Sequence, residues 1–197
     1  MCDDCQTYAH HLGRADDILD SAGGTDVYQT TPSRVVIETG HEHLRCLRLS
    51  PKGLLRWYAG CCNTPIANAL NLPKLPFAGV IHCAVDHEAQ GQGRDEVLGP
   101  PRAHTQGRYG HAPLPPGSYA RAPFGLIVRS LRVLASARLR GEHQPSPFFD
   151  ADGQLVVTPE VLSLERRNAM RKAAGQAELT TSQRPPRRPG SRSGGAS

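Results

Sequence analysis

Long apolar runs and aromatic side chains are scarce in this sequence of 197 residues. Aromatic residues make up 5% of the chain, which has a single tryptophan. No stretch approaches the roughly 20 apolar residues that a membrane helix needs, and the N-terminus is polar and acidic rather than signal-like. With 38% hydrophobic content the chain can bury one modest core. We therefore expect one domain with appendages, a cytoplasmic location and no membrane partner.

Acidic residues are missing from the C-terminal tail, which explains most of the net charge of +5. Residues 179–197 contain four arginines and no Asp or Glu, so residues 1–178 carry a net charge of only +1. The remainder shows no basic face and no basic residues interleaved with aromatics, so we expect no nucleic-acid partner. Pro, Gly, Ser and Arg dominate residues 179–197, and this composition predicts a disordered tail.

Four of the six cysteines occur in two short motifs that could bind a metal ion. Cys2 and Cys5 form a C-x-x-C at the start of the chain, and Cys61 and Cys62 lie in a turn of small residues after a strand-like apolar run. Two thiolates held a few residues apart can bind one soft cation, usually zinc. Zinc is the favoured interpretation, with free thiols or disulfides as alternatives; His10 and His11 are further possible ligands or, like His104 and His111, simply solvated residues.

These motifs resemble the glutathione-dependent formaldehyde-activating (GFA) enzyme family. The family's signature is C-x-C-x-x-C, followed later by R-x-F-C-x-x-C-G-T-x-L; this chain has C-D-D-C-Q and then R-W-Y-A-G-C-C-N-T-P. The resemblance covers residues 2–85. It implies a zinc protein of the β-tent type.

The family pattern can be carried over residue by residue. Cys2 and Cys5 match the second and third cysteines of the first motif, which bind the catalytic zinc in the family; the first would precede Met1. In the second motif, Cys62 matches the last cysteine, Ala59 stands where the preceding cysteine is expected, and Cys61 is additional. The further residues that match this motif are Arg56, Tyr58, Asn63, Thr64 and Pro65. We read the chain as a degenerate member, shortened at its N-terminus or with its start assigned late.

The resemblance implies a function and a zinc cofactor. It implies a carbon–sulfur lyase that acts on a small thiol adduct such as S-hydroxymethylglutathione, with Cys2, Cys5, Cys62 and Cys61 as metal ligands. The alternative is a non-catalytic β-tent binding or structural module that has lost its metal sites. No residue is assigned a catalytic role, and the oligomeric state is left open. The strand and turn pattern also predicts that Cys2, Cys5 and the Cys61–Cys62 turn meet at one end of an antiparallel sheet.

The pattern of strands and helices predicts a mainly β fold with C-terminal helices. We expect an antiparallel β-tent zinc-type domain lacking its first strands at residues 1–86, a Pro/Gly-rich loop or insertion at 87–122, and a helical extension at 123–178. Alternation around Cys46 predicts that this thiol is a packed apolar group rather than a ligand, and Cys83 is interpreted in the same way. The predicted strands are 27–29, 34–38, 43–49, 54–58, 66–70 and 77–85, and the predicted helices are 6–12, 123–140 and 159–174.

The helix at 123–140 has a regular apolar stripe with arginines away from it. Its 3.6-residue period predicts that the stripe packs on the sheet. A role at a membrane surface is the alternative.

Overall fold

The computed structural model describes residues 1–87, 91 and 93–180. Its centre is a six-stranded sheet with the strand order β1-β5-β4-β3-β2-β6. Neighbouring strands are antiparallel except β2 and β6, which are parallel. The strands are β1 (Val27–Thr30), β2 (Leu44–Arg48), β3 (Leu55–Ala59), β4 (Thr64–Ala69), β5 (Ala78–Ile81) and β6 (Glu160–Val161).

Five α-helices surround this sheet within the described residues. They are α1 (Asp3–Leu12), α2 (Ala15–Ile18), α3 (Arg94–Leu98), α4 (Phe124–Leu139) and α5 (Leu164–Ala173). Short 3₁₀ turns occur at Pro32–Arg34, His41–His43, His82–Ala84 and Gly107–Tyr109. No helix in the described part of the chain is both long enough and apolar enough to cross a membrane.

Two turns fix the register of the three central strands. The β2–β3 hairpin closes at Ser50-Pro51-Lys52-Gly53, where the Gly53 amide donates to the Ser50 carbonyl at 2.9 Å. The β3–β4 hairpin closes at residues 60–63, and Asn63 adopts a left-handed conformation with φ of 55°. Asparagine tolerates that conformation better than most residues, so this short turn forms with little strain.

The apolar core lies on both faces of β3 and β2. On one face Trp57 is fully buried and stacks on Phe148, with ring centroids 5.0 Å apart. On the other face Leu47 packs with α1, which contributes Tyr8, Ala9 and Leu12. Helix α1 is therefore fixed against the central strands by its own apolar side.

Helix α5 also fixes α1. Arg171, whose side chain is 9% exposed, pairs with Asp3 at 3.1 Å, and Arg167 pairs with Asp4 at 2.7 Å. Both acids lie in the first turn of α1. The C-terminal helix thus stabilises the turn that contains Cys5.

The fold class is confirmed in its coarse form, since a β-sheet is combined with C-terminal helices. Within residues 1–86 the strands pair antiparallel, as expected, and the sheet becomes mixed because β6, from the predicted helical extension, runs parallel to β2. The predicted strand at 34–38 was wrong: a 3₁₀ turn covers Pro32–Arg34, and the residues after it pair with no strand in the described part of the chain. The predicted helix at 159–174 begins later, at Leu164, after Ser163 caps it by accepting from the Arg166 amide.

Other expectations on chain organisation had mixed outcomes. Helix α1 begins at Asp3 rather than residue 6. Helix α4 confirms the predicted helix, but its apolar side chains do not pack on the sheet: Phe124 is 80% exposed and only Ala137 is buried.

Region 87–122, which was expected to be a loop or insertion, contains α3 besides its loops. Leu179 hydrogen bonds with the Asn168 side chain, and residues 181–197 lie outside the described residues.

Candidate functional site

The Cys2–Cys5 pair lies at the N-terminus of α1. Cys2 is the residue that precedes the helix, in extended conformation, and Cys5 is in the first turn. The Cys2 carbonyl accepts from the amides of Cys5 and Gln6, each at 3.1 Å. The two thiols are close enough to shift each other's pKa, and the Cys2 thiol donates to Asp3 Oδ1 at 4.0 Å. A thiolate at this position is favoured by the positive end of the helix dipole.

A buried arginine lies beside this pair. Arg56 on β3 is 2% exposed, and its Nη1 lies 3.9 Å from the Cys5 Sγ. The same nitrogen donates to Asn68 Oδ1 at 3.3 Å, and the guanidinium lies 5.0 Å from the centre of the Tyr8 ring. No carboxylate among the described residues is within ion-pair distance of Arg56. A buried cation without a counter-ion is costly, so the Cys5 thiolate is the natural anion for this site.

These contacts activate one thiol of the pair. The hydrogen bond from Cys2 and the charge of Arg56 lower the pKa of Cys5 to about 6, against the opposing effect of burial. The same hydrogen bond, together with burial, raises the pKa of Cys2. The two thiols titrate as a coupled pair in which Cys5 carries the negative charge and Cys2 keeps its proton. Cys5 is therefore a thiolate near neutral pH.

The pair opens into a cavity of about 780 Å³. This is a typical size for a small-molecule site. Besides Cys2 and Cys5, charged side chains line it: Arg94 is paired with Asp26, and Asp20 accepts from the amides of Ala22 and Gly24, whereas Arg102 and Arg129 form no ion pair with a described residue. The cavity thus combines a thiolate with two guanidinium groups that are available to an anionic ligand.

The Cys61–Cys62 pair lies in the exposed turn between β3 and β4. The Cys61 thiol donates to the Cys62 sulfur at 3.8 Å, and the Cys62 sulfur lies 3.1 Å from Thr64 Oγ1. Its hydrogen bond with Thr64 lowers the pKa of Cys62. Arg14 fixes the turn by donating to the Cys62 carbonyl at 3.1 Å and to Thr64 Oγ1 at 2.9 Å.

The structure does not bring the two cysteine pairs together. The Cys61–Cys62 turn contacts the C-terminal end of α1, where Asn63 Nδ2 donates to the Leu12 carbonyl at 3.2 Å. Cys5 is seven residues earlier in α1, and at 1.5 Å per residue this places it about 10 Å away along the axis. Among the described residues no three of these thiols are arranged to bind one metal ion, so the expected meeting of the two motifs is not observed.

The described side chains do not complete a zinc centre. A zinc ion in a protein takes four ligands, or three with one open position. Each cysteine pair offers two sulfurs, and the described residues contain no group of three or more His, Cys, Asp or Glu arranged to bind a metal. Zinc binding by Cys2, Cys5, Cys62 and Cys61 thus remains a prediction.

The remaining candidates have structural surroundings. Cys46 is buried in the core, as expected, and burial raises its pKa to about 12. His10 and His11 lie in the last turn of α1, away from Cys5. His104 lines the cavity. His111 lies beside Gly23, and its amide donates to the Ala22 carbonyl.

Arg56 is the residue whose role could not be recognised from the sequence. Besides its match to the arginine of the second family motif, its local signal is a charge within the apolar run Leu54-Leu55-Arg56-Trp57-Tyr58. A charge inside a buried strand indicates a specific partner, but nothing in the sequence identifies that partner as Cys5, 51 residues earlier.

Searches of curated proteins and of solved structures found no match to the chain. A comparison with family models found one match, over residues 1–159. This region includes both cysteine pairs, Arg56 and the cavity, and ends before β6 and α5. The chain belongs to the family of unknown function DUF6151.

Proposed function

We propose that this protein is a carbon–sulfur lyase that acts on the adduct of a small thiol with an aldehyde, using the Cys5 thiolate as general base. The observation that carries the proposal is the contact of Cys5 with the buried, otherwise uncompensated Arg56. A base is most effective when its pKa lies near the working pH, and the pKa of about 6 for Cys5 meets this condition.

The proposed reaction needs only this side chain and the adduct. The Cys5 thiolate takes the hydroxyl proton of an adduct R–S–CH₂–OH. The carbon–oxygen double bond forms as the carbon–sulfur bond breaks, and the electron pair of that bond stays on the departing sulfur. Formaldehyde leaves, and the Cys5 thiol returns the proton to the thiolate R–S⁻. Atoms and charges balance, and Cys5 is restored.

Two groups near Cys5 have supporting roles in this scheme. The Cys2 thiol lowers the pKa of Cys5 and so helps to keep it ionised. Arg56 is too buried to contact substrate, so it acts through Cys5 as a positioning residue. Arg102 and Arg129, on the cavity wall, would bind carboxylates of the thiol compound, which favours an anionic thiol such as glutathione.

Zinc has no step in this scheme because the described residues supply only two sulfurs at each cysteine pair. The zinc expected from the resemblance therefore stays a separate proposal. A β-tent identity for the sheet also stays a proposal. The proposed cellular location is the cytoplasm, because Cys2 and Cys5 stay free as thiols in a reducing compartment.

The second candidate function is a non-catalytic module that binds a thiol compound in the same cavity. The presence of only two sulfurs at each cysteine pair favours this candidate. A zinc-dependent reaction would lack the further ligands that zinc needs among the described residues. Both candidate functions use the same cavity, but only the lyase would convert the bound adduct.

The test mixes the protein with glutathione and formaldehyde and measures exchange between the adduct and free formaldehyde by magnetisation-transfer NMR. The lyase proposal predicts an exchange rate that rises above the spontaneous rate in proportion to protein concentration at pH 7. Cys62→Ser, which alters an exposed thiol outside the cavity, is the matched control and should keep this rate. Adduct binding without acceleration would support the module instead. Neither binding nor acceleration would contradict both candidates.

A further inference from the structure

The Cys61–Cys62 turn is a second thiol site, separate from the cavity. Both side chains are exposed, and the sulfurs are 3.8 Å apart. Two sulfurs bound to one centre at about 2.3 Å, with an angle of about 95–109° between the bonds, are themselves about 3.4–3.8 Å apart. The two sulfurs are thus already spaced to bind one soft atom together.

The backbone of the turn is fixed before any ligand arrives. Arg14 holds the Cys62 carbonyl and the Thr64 hydroxyl, while Asn63 is tied to the Leu12 carbonyl of α1. The strands on both sides are paired up to Ala59 and Thr64. A ligand that bridges the sulfurs would therefore lose little affinity to ordering of the turn.

Internal disulfide formation does not compete strongly with such a ligand. Consecutive Cα atoms across a trans peptide are about 3.8 Å apart. A disulfide normally joins Cα atoms separated by about 4.4–6.8 Å, so adjacent cysteines are too close for unstrained geometry. The peptide between Cys61 and Cys62 is not among the cis bonds of the chain. The pair therefore favours the dithiol state.

The number of sulfurs narrows the class of ligand. Two thiols are too few for a zinc centre, which needs further protein ligands that the described residues do not supply here. A monosubstituted trivalent arsenical, R–As=O, needs two thiols because its third bond is to carbon. Soft thiolate sulfur is the donor type that soft centres prefer.

We propose that the Cys61–Cys62 turn is a bidentate dithiol site for a monosubstituted trivalent arsenical. In the reaction R–As=O + 2 Cys–SH → R–As(S–Cys)₂ + H₂O, two arsenic–sulfur bonds form, and the two thiol protons leave with the oxide oxygen as water. No oxidation state changes. The proposal does not depend on the lyase chemistry of Cys5.

The test uses phenylarsine oxide as probe and intact-mass spectrometry as readout. The Cys2→Ser/Cys5→Ser variant, which lacks the other close cysteine pair, should bind one phenylarsenic group per chain. A dithiol such as 2,3-dimercaptopropanol should remove it, whereas an equal concentration of thiol groups from a monothiol should not. Adding Cys61→Ser or Cys62→Ser should weaken binding by at least about 10²-fold, because the second sulfur then no longer binds intramolecularly. Adding Cys83→Ser instead is the matched control and should leave binding unchanged.

Two outcomes would overturn the proposal: no adduct on the Cys2→Ser/Cys5→Ser variant while it remains folded, or an adduct that survives Cys61→Ser. If that variant fails to fold, the unaltered chain decides the question. There, phenylarsine oxide should protect Cys61 and Cys62 from alkylation, as mapped by peptide mass spectrometry. Full alkylation of both residues in the presence of the probe would equally overturn it.

Discussion

Cys5→Ser is expected to lower the lyase rate by about 10²–10⁴-fold, the usual contribution of a general base. A serine hydroxyl is not ionised at neutral pH and cannot take the proton of the adduct. The adduct should still bind, because Arg102 and Arg129 on the cavity wall are unchanged. The measurement is the exchange rate of the glutathione–formaldehyde adduct at pH 7, with adduct affinity measured in parallel.

The matched control for this change is Cys2→Ser. Its hydroxyl can still donate a hydrogen bond to the Cys5 sulfur, so we expect a rate loss of about tenfold at most, smaller than that of Cys5→Ser. Equal losses in the two variants would contradict the assignment of the base to Cys5. Both variants need a thermal unfolding check, since Cys5→Ser leaves the Arg56 charge without its thiolate.

Trp57→Ala is expected to lower the free energy of unfolding by about 3–5 kcal/mol. Trp57 is fully buried at the centre of β3, and the change removes its stacking on Phe148 and leaves a large cavity. Chemical denaturation with linear extrapolation measures the loss.

The exposed aromatic Phe124 provides the control for this prediction. Phe124→Ala, at a side chain that is 80% exposed, should change the free energy of unfolding by less than about 0.5 kcal/mol. A loss below about 1 kcal/mol for Trp57→Ala would contradict the placement of the core between β3 and Phe148.

The sequence was sufficient where neighbouring residues determine the structure. The Ser50-Pro51-Lys52-Gly53 turn joins two apolar runs, and these become the β2–β3 hairpin. Alternation around Cys46 correctly predicted a buried thiol. Pro123 and the 3.6-residue period of the following residues correctly predicted α4. In each case local conformational preference and the final fold agree.

Sequence reasoning failed where a partner element decides the outcome. Val35 and Ile37 pack against the core while Val36 is 75% exposed, so their alternation is real, yet no neighbouring strand pairs with them. Glu160–Val161 was assigned to a helix but pairs in parallel with β2, more than 100 residues earlier. The hydrophobic pattern of a segment shows which of its faces is apolar. It does not show which strand lies next to that segment.

The same distinction between local features and contacts of distant elements applies to the candidate site. The sequence identified both cysteine motifs, and in the structure the two cysteines of each motif influence each other's pKa. It could not show that α1 separates them, because that distance depends on how the helix packs on β2 and β3. The contact between Arg56 and Cys5 also arises only when α1 lies across the sheet.

The central claim, a Cys5 thiolate stabilised by Arg56, is tested most directly by the pH dependence of Cys5 alkylation. Iodoacetamide reacts with the thiolate only, so the rate measured by peptide mass spectrometry follows ionisation. Because the folded-state pKa is lowered, the thiolate should persist as the pH falls below 9 and be lost only near about pH 6. In Arg56→Met the midpoint should move to higher pH. A midpoint near 9 in the unaltered protein, or one that Arg56→Met leaves in place, would contradict the account.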